Sequence, residues 1–263
     1  MSDTPIAEAL EWIREAGELT LSHFRSAELS VKTKGDGSPV TQADHDAEAL
    51  LRERIGEAYP HDSIVGEEHP DRTGTSGRSW VIDPIDGTRA FSHGVGTYSN
   101  LLALTDETGT RLGIINLPAL GETIWAVRGE GCWINGNPVR AERRAPGAGG
   151  RVLCVTGFHD WSPAMFERVT AAGVTIRTWG DAYGYALVAT GRADAMFDPE
   201  LEWWDLAAPA LVVTEAGGTL TRRDGSPEVT VRRHDGPYAL SAIASADADH
   251  DFWLELLRTD DEA

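Results

Sequence analysis

Trp80-Val81-Ile82-Asp83-Pro84-Ile85-Asp86-Gly87-Thr88 runs from an apolar segment into a turn that releases two carboxylates close together. The apolar start reads as a strand ending at Asp83, Pro84 stiffens the turn, and Asp86-Gly87-Thr88 opens a short helix. Proline removes a donor and glycine allows close backbone approach. The turn can therefore hold both aspartates on one side while N–H groups near Thr88 face an anion. A helix-capping aspartate in an ordinary turn has the same local sequence, so the rest of the chain must decide between the two readings.

Working outward, Gly66-Glu67-Glu68 follows a short apolar run and puts two more carboxylates at a strand end. Trp203-Trp204-Asp205 stands at a helix start, where Asp205 is either an N-cap or a cation ligand. All these groups are hard oxygen donors, which suit Mg²⁺. The histidines show no HxxxH or HExxH spacing, so zinc does not fit.

Apolar residues recur at helical steps over 5–24, where Ile6, Leu10, Ile13, Ala16 and Leu19 form a stripe. A glycine-rich break at 32–39 precedes a second helical pattern over 41–58, stopped by Pro60. Short apolar runs at 64–65, 80–82, 98–104, 112–117, 123–127 and 132–134 predict an antiparallel sheet, the last run closed by Asn135-Gly136. The Pro/Gly/Ala-rich stretch 145–150 marks the boundary between an N-terminal α+β domain, 1–145, and a C-terminal α/β domain, 151–263. In the second domain, strands at 152–155, 174–177, 193–197, near 219 and at 239–244 alternate with helices at 163–172, 183–190, 205–216 and 249–257.

The chain has 263 residues and a formal charge of −19, which repels a nucleic acid or an anionic membrane. The N-terminus lacks the apolar core of a signal peptide and no stretch is long enough to cross a bilayer. The two cysteines, Cys132 and Cys154, form no CxxC and read as reduced thiols of a cytoplasmic protein. If the ligand is a small phosphorylated metabolite, bound divalent cations would offset the acidic field locally; the alternative is a merely solvated acidic surface. GxSxG, P-loop and GxGxxG motifs are absent, and Asp83 and Asp86 have a different spacing from the DxDxT of aspartyl-phosphate phosphatases.

These residues resemble the inositol monophosphatase-like superfamily of Mg²⁺-dependent phosphatases: DPxDGT matches Asp83 to Thr88, the second WD signature matches Trp204-Asp205, and GEE precedes both. Within it the chain is most similar to histidinol-phosphate phosphatases, because Thr88-Arg89-Ala90-Phe91 replaces TTNF. The segments Gly180 to Tyr185, Ala189 to Asp194 and Asp198-Pro199 follow the histidinol-type pattern. The resemblance implies a layered αβαβα sandwich, a homodimer, and two or three Mg²⁺ ions held by Glu67, Asp83, Asp86, Asp205 and the carbonyl of Ile85. It implies that Asp44 and Thr88 handle a proton, with Glu67 holding the water-activating ion, and that Gly87 and Thr88 N–H groups hold phosphate. Glu68 is left in a supporting place, and the loop Lys34 to Ser38 outside the site.

For the alcohol half of the substrate, Asp181, Asp198 and Tyr183 would complement an ammonium and an imidazole, with Asp86 and Asp205 also at the substrate, while Arg177 reaches a phosphate oxygen. Each has an ordinary structural role as well: a cap, a turn, a core tyrosine and a surface arginine. The expected reaction is hydrolysis of L-histidinol phosphate by metal-activated water. The rivals are an inositol-1-phosphate or other sugar-phosphate phosphatase, a 3′-phosphoadenosine phosphate phosphatase, and a non-catalytic metal-binding relative.

Overall fold

The N-terminal stripe winds α1 (Ile6–His23), which buries Ala9, Trp12, Ile13 and Ala16 on one side. A short hairpin, β1 (Val31–Thr33) and β2 (Pro39–Thr41), stands where the sequence predicts only a break, and leads into α2 (Gln42–Ala58). The chain continues through β3 (Ser63–Gly66), β4 (Ser79–Asp86), a short α3 (Thr88–Ser92), β5 (Ser99–Asp106), β6 (Gly109–Leu117), β7 (Glu122–Val127), β8 (Gly131–Ile134) and β9 (Asn137–Val139). The second half holds β10 (Val152–Val155), α4 (Pro163–Ala171), β11 (Thr175–Arg177), α5 (Asp181–Ala189), β12 (Ala195–Leu201), α6 (Trp203–Glu215), β13 (Thr219–Arg222), β14 (Leu240–Ser245) and α7 (His250–Leu257). This computed structural model describes residues 4–27, 29–35, 37–142, 150–227, 240–246 and 249–259.

Strands β3 to β9 form a seven-stranded sheet in chain order, and the second half forms a five-stranded sheet of order β11-β10-β12-β14-β13. Residues Trp80, Ile82, Leu102, Leu104, Leu112 and Ile114 of the first sheet pack under α1 and α2. From its other face Val81, Leu101, Ala103, Ile115 and Leu117 meet α5 and α6, which also cover Cys154, Met196, Ala242 and Ala244 of the second sheet. The far face of that sheet, with Leu153, Phe197 and Ile243, packs on α4 and α7 through Met165, Val169 and Trp253. The five layers are the αβαβα sandwich that the sequence implies.

Several elements differ in detail from the sequence expectations. The edge strand β3 pairs in parallel with β4, so the larger sheet is mixed rather than purely antiparallel. Helix α5 starts at Asp181 and α6 at Trp203, two residues before the predicted starts, because Asp181 lies in the first turn of α5 and Glu202, not Asp205, caps α6. Strand β9 follows the Asn135-Gly136 turn at the sheet edge, where Pro138 is tolerated. The expected boundary at 145–150 lies, apart from residue 150, outside the described residues.

Helix α6 reaches close to the seven-stranded sheet at Gly113, where an added Cβ would lie 2.6 Å from the backbone oxygen of Ala208. Gly113→Ala must push the helix outward, and Asp205 rides on that helix. The expected result is a loss of about 1–3 kcal/mol in urea unfolding, accompanied by weaker divalent-metal binding; a variant as stable as the parent would contradict this packing.

Candidate active site

Strand β4 pairs with β5 as Asp83↔Leu101 and Asp86↔Ser99, leaving Pro84 and Ile85 together opposite Asn100. In a regular strand, residues three apart point to opposite faces. The extra residue of this bulge cancels the alternation, so Asp83 and Asp86 both project toward α5 and α6. Asp83 Oδ1 accepts from Ile85 N at 3.0 Å, and Asp86 Oδ2 accepts from Ser99 Oγ and from Ala182 N, each at 2.8 Å. Gly87, in the left-handed conformation with φ 75°, then turns the chain into α3.

Helix α6 brings Asp205 to the same place. It stands at the third helical position, where its Oδ2 accepts from Glu202 N at 2.7 Å, so Glu202 and not Asp205 is the N-cap. One carboxylate oxygen from each of Asp83, Asp86 and Asp205 lies within 4.8 Å of the others. Burial holds all three carboxyls well above the usual carboxylate range, and neighbouring acids push each further: Glu67, Asp86 and Asp205 act on Asp83, Asp181 and Asp205 on Asp86, and Glu67 and Asp198 on Asp205. When ionised together, buried Asp83 and Asp86 and half-buried Asp205 repel unless a cation sits among them, and this donor set fits Mg²⁺. The Ile85 carbonyl accepts from Thr88 Oγ1 at 2.9 Å, which leaves it a second lone pair.

Glu67 sits beside this trio and its charge acts on both Asp83 and Asp205. Burial and the neighbouring acids raise Glu67 to about 7 against the opposing pull of Lys34. Lys34 Nζ contacts Glu67 Oε1 at 2.6 Å and Glu68 Oε1 at 2.5 Å, which brings into the site a residue of the loop that sequence reasoning left out. A lysine inside a glycine-rich loop carries no signal of its own; only the fold of the β1–β2 hairpin turns it toward the acids. Glu68 is buried and serves as the second partner of Lys34.

Asp44 is fully buried at the third position of α2, where Oδ2 accepts from Thr41 N and Thr41 Oγ1 in a capping box. Its Oδ1 lies 3.4 Å from Thr88 Oγ1, so the expected pair is in reach of each other. Burial raises the Asp44 carboxyl and the bonds from Thr41 oppose that rise.

On the second-half side, Asp181 opens α5 with φ 56° and is raised by burial to about 6. Asp198 is 2% exposed; its Oδ2 accepts from Thr156 Oγ1 at 2.8 Å, while Oδ1 has no hydrogen-bond partner. Burial is the first cause that lifts it to about 8, with Asp181 and Asp86 adding to the shift. Tyr185, which the sequence does not single out, buries an unpartnered hydroxyl whose ionisation is suppressed by burial and by Asp198, Asp205, Asp86 and Asp181. Tyr183 packs partly buried against the central apolar layer. Arg177 is exposed, donates to Ile176 O at 2.8 Å and lies over the Trp179 ring, so the structure does not gather it with the acids.

A sequence profile described as the Inositol monophosphatase family matches residues 2–256. The chain belongs to that family. A histidinol-phosphatase from Chlorobaculum parvum is 39% identical over 251 residues, covering 92% of this chain and 97% of the relative. A histidinol-phosphatase from Mycobacterium tuberculosis is 35% identical over 259 residues, covering 95% and 96%. The solved structure of the extragenic suppressor protein suhB from Bartonella henselae superposes with a TM-score of 0.85 at 25% identity, covering 97% of this chain and 98% of that one. As a member of this family the chain is a phosphoric monoester hydrolase.

The raised Asp198 carboxyl has a consequence for stability. A folded-state value of about 8, against an ordinary 3.8, means the folded chain binds this proton more tightly than the unfolded one. The group therefore costs stability above about pH 8, and that cost is relieved as pH falls toward 4. Asp198→Asn keeps an acceptor for Thr156 and removes the charge. In chelator-treated protein it should stabilise more at pH 8 than at pH 5 by urea unfolding, and an equal effect at both would contradict the buried-charge assignment.

Proposed function

We propose that the protein hydrolyses L-histidinol phosphate to L-histidinol and phosphate, with Mg²⁺ bound by Glu67, Asp83, Asp86, Asp205 and the Ile85 carbonyl. The observation that carries the reading is the convergence of Asp83, Asp86 and Asp205 within 4.8 Å in a buried place. When bound, Mg²⁺ supplies a water of lowered pKa, polarises the phosphoryl group and neutralises charge on the leaving oxygen.

The chain's own groups supply the rest. Gly87 and Thr88 offer backbone N–H groups at the start of α3 to orient the phosphate. Thr88 Oγ1, placed between Ile85 O and Asp44 Oδ1, passes a proton from the attacking water to Asp44. Burial raises the Asp44 carboxyl, which makes it a better acceptor for that proton than an exposed aspartate.

Substrate choice rests on a second acidic patch. Asp181, Asp198 and the Tyr185 hydroxyl adjoin the trio from the α5 side, and a leaving group with an ammonium and an imidazole would satisfy the unpartnered Asp198 Oδ1. The likeness to histidinol-phosphatases supports the same choice. Tyr183 flanks this patch, and Arg177 would reach a phosphate oxygen only by leaving Trp179. We further read 1–145 and 151–263 as two domains sharing one site, and the protein as a cytoplasmic homodimer.

Phosphate release is measured with histidinol phosphate, myo-inositol 1-phosphate, fructose 1,6-bisphosphate and 3′-phosphoadenosine phosphate, each with Mg²⁺ and with chelator. Histidinol phosphate should be preferred and chelator should stop turnover; preference for another ester removes the substrate assignment. Asp83→Asn is expected to lower kcat by about a hundredfold or more, since even partners of metal ligands cost 10–100-fold, and to lose Mg²⁺ binding while staying folded. Retained turnover would take Asp83 out of the site.

A further inference from the structure

The bulge that gathers Asp83 and Asp86 leaves the Pro84 carbonyl without a regular ladder partner, because two residues of β4 face one of β5. That one residue, Asn100, is fully buried and donates from Nδ2 to Pro84 O at 2.6 Å. Since a carbonyl only accepts, the amide nitrogen must face Pro84. The Asn100 oxygen accepts in turn from Asn116 Nδ2 at 3.0 Å, and Asn116 Oδ1 accepts from Thr123 Oγ1 at 2.9 Å. Asn116 Nδ2 also reaches Ile13 O of α1 at 3.3 Å.

These residues are direct cross-strand neighbours, Asn100↔Asn116 and Asn116↔Thr123. They form a polar row across β5, β6 and β7, ending on β4, on the sheet face that packs under α1. That face otherwise carries Ile82, Leu102, Leu104 and Ile114. A buried amide row in an apolar layer costs desolvation, so it must stay fully paired to be tolerated. The sequence has a simpler way to fill the position, with an aliphatic side chain like its neighbours, and instead keeps an amide where the bulge needs a donor.

We infer that Asn100, backed by Asn116, is a positioning residue that fixes the Pro84 bulge from behind and so sets the spacing of the Asp83, Ile85 and Asp86 oxygens offered to a divalent cation. Asn100 touches neither substrate nor cation. It acts through the turn: Pro84 O is tied to Asn100, Ile85 N to Asp83, and Ile85 O to Thr88. The inference rests on the metal-site reading under Proposed function.

The test compares Asn100→Leu, Asn116→Leu and Leu102→Ala with the parent, reading the half-saturating Mg²⁺ concentration from a calorimetric titration and, beside it, the melting temperature with and without Mg²⁺, which rises with bound ligand. Leu102→Ala is the control, a cavity on the same face of β5 at a residue paired with Ile82 and not with the bulge. Asn100→Leu should raise the half-saturating Mg²⁺ about tenfold, as loss of a ligand-orienting partner does, while Leu102→Ala lowers melting with no change in half-saturation. Should Asn100→Leu not fold, Asn116→Leu carries the comparison with an expected rise of about threefold, below the usual range for a direct partner. Unchanged half-saturation in the asparagine variants, or an equal rise in Leu102→Ala, overturns the positioning role. A parent with no Mg²⁺-induced rise overturns the metal reading itself, and the inference falls with it.

Discussion

The site depends on one constraint: like charges that repel must be held together in a buried place. Asp83 and Asp86 come from a single strand whose alternation would separate them, and the inserted residue at Pro84-Ile85 restores them to a common face. Asp205 arrives from a helix more than a hundred residues later, seated by the bond from Glu202 N. Burial makes the charged form of each unfavourable, and the hydrogen bonds from Ser99, Ala182 and Glu202 offset that only in part. The surrounding fold therefore holds strain that a cation relieves, which is how stability is given up for function at such sites.

What holds the acids in place is rigid on all sides. Asp86 is clamped between Ser99 of β5 and the first turn of α5, so the strand and the helix cannot move independently without breaking that carboxylate's bonds. Helices α5 and α6 form the middle layer between the two sheets, and their apolar sides are shared by both. The Asp181–Asp198 patch adjoins the trio: the Asp181 charge acts on Asp86 and the Asp198 charge on Asp205. The two groups share α5, because Asp181 opens that helix and Ala182 N bonds Asp86.

Much of this was legible in the sequence because it is written in short-range signals. The stripe of α1, the apolar runs that lead into Glu67 and Asp83, and the Asn135-Gly136 turn each depend on a few neighbouring residues, although β4 continues past the expected end at Asp83 to Asp86. The acids at 83, 86 and 205 could be named as ligands from their motifs, and the structure brings them together. Long-range features were not legible. Lys34 belongs to a glycine-rich loop, and its bond to Glu67 exists only once the hairpin is laid over β3. Asn100 and Asn116 read as polar interruptions in apolar strands, since nothing local says that Pro84 needs a donor from the next strand. The starts of α5 and α6 are hard to read locally because an aspartate such as Asp181 or Asp205 serves equally as an N-cap or as a residue of the first turn.

The central claim, that the acids of β4 and α6 converge to hold a cation, is tested most directly by anomalous diffraction from crystals soaked in Mn²⁺ as a stand-in for Mg²⁺. The account predicts a peak coordinated by Asp83, Asp86 and Asp205. A peak elsewhere, or none at these carboxylates at saturating Mn²⁺, would contradict it.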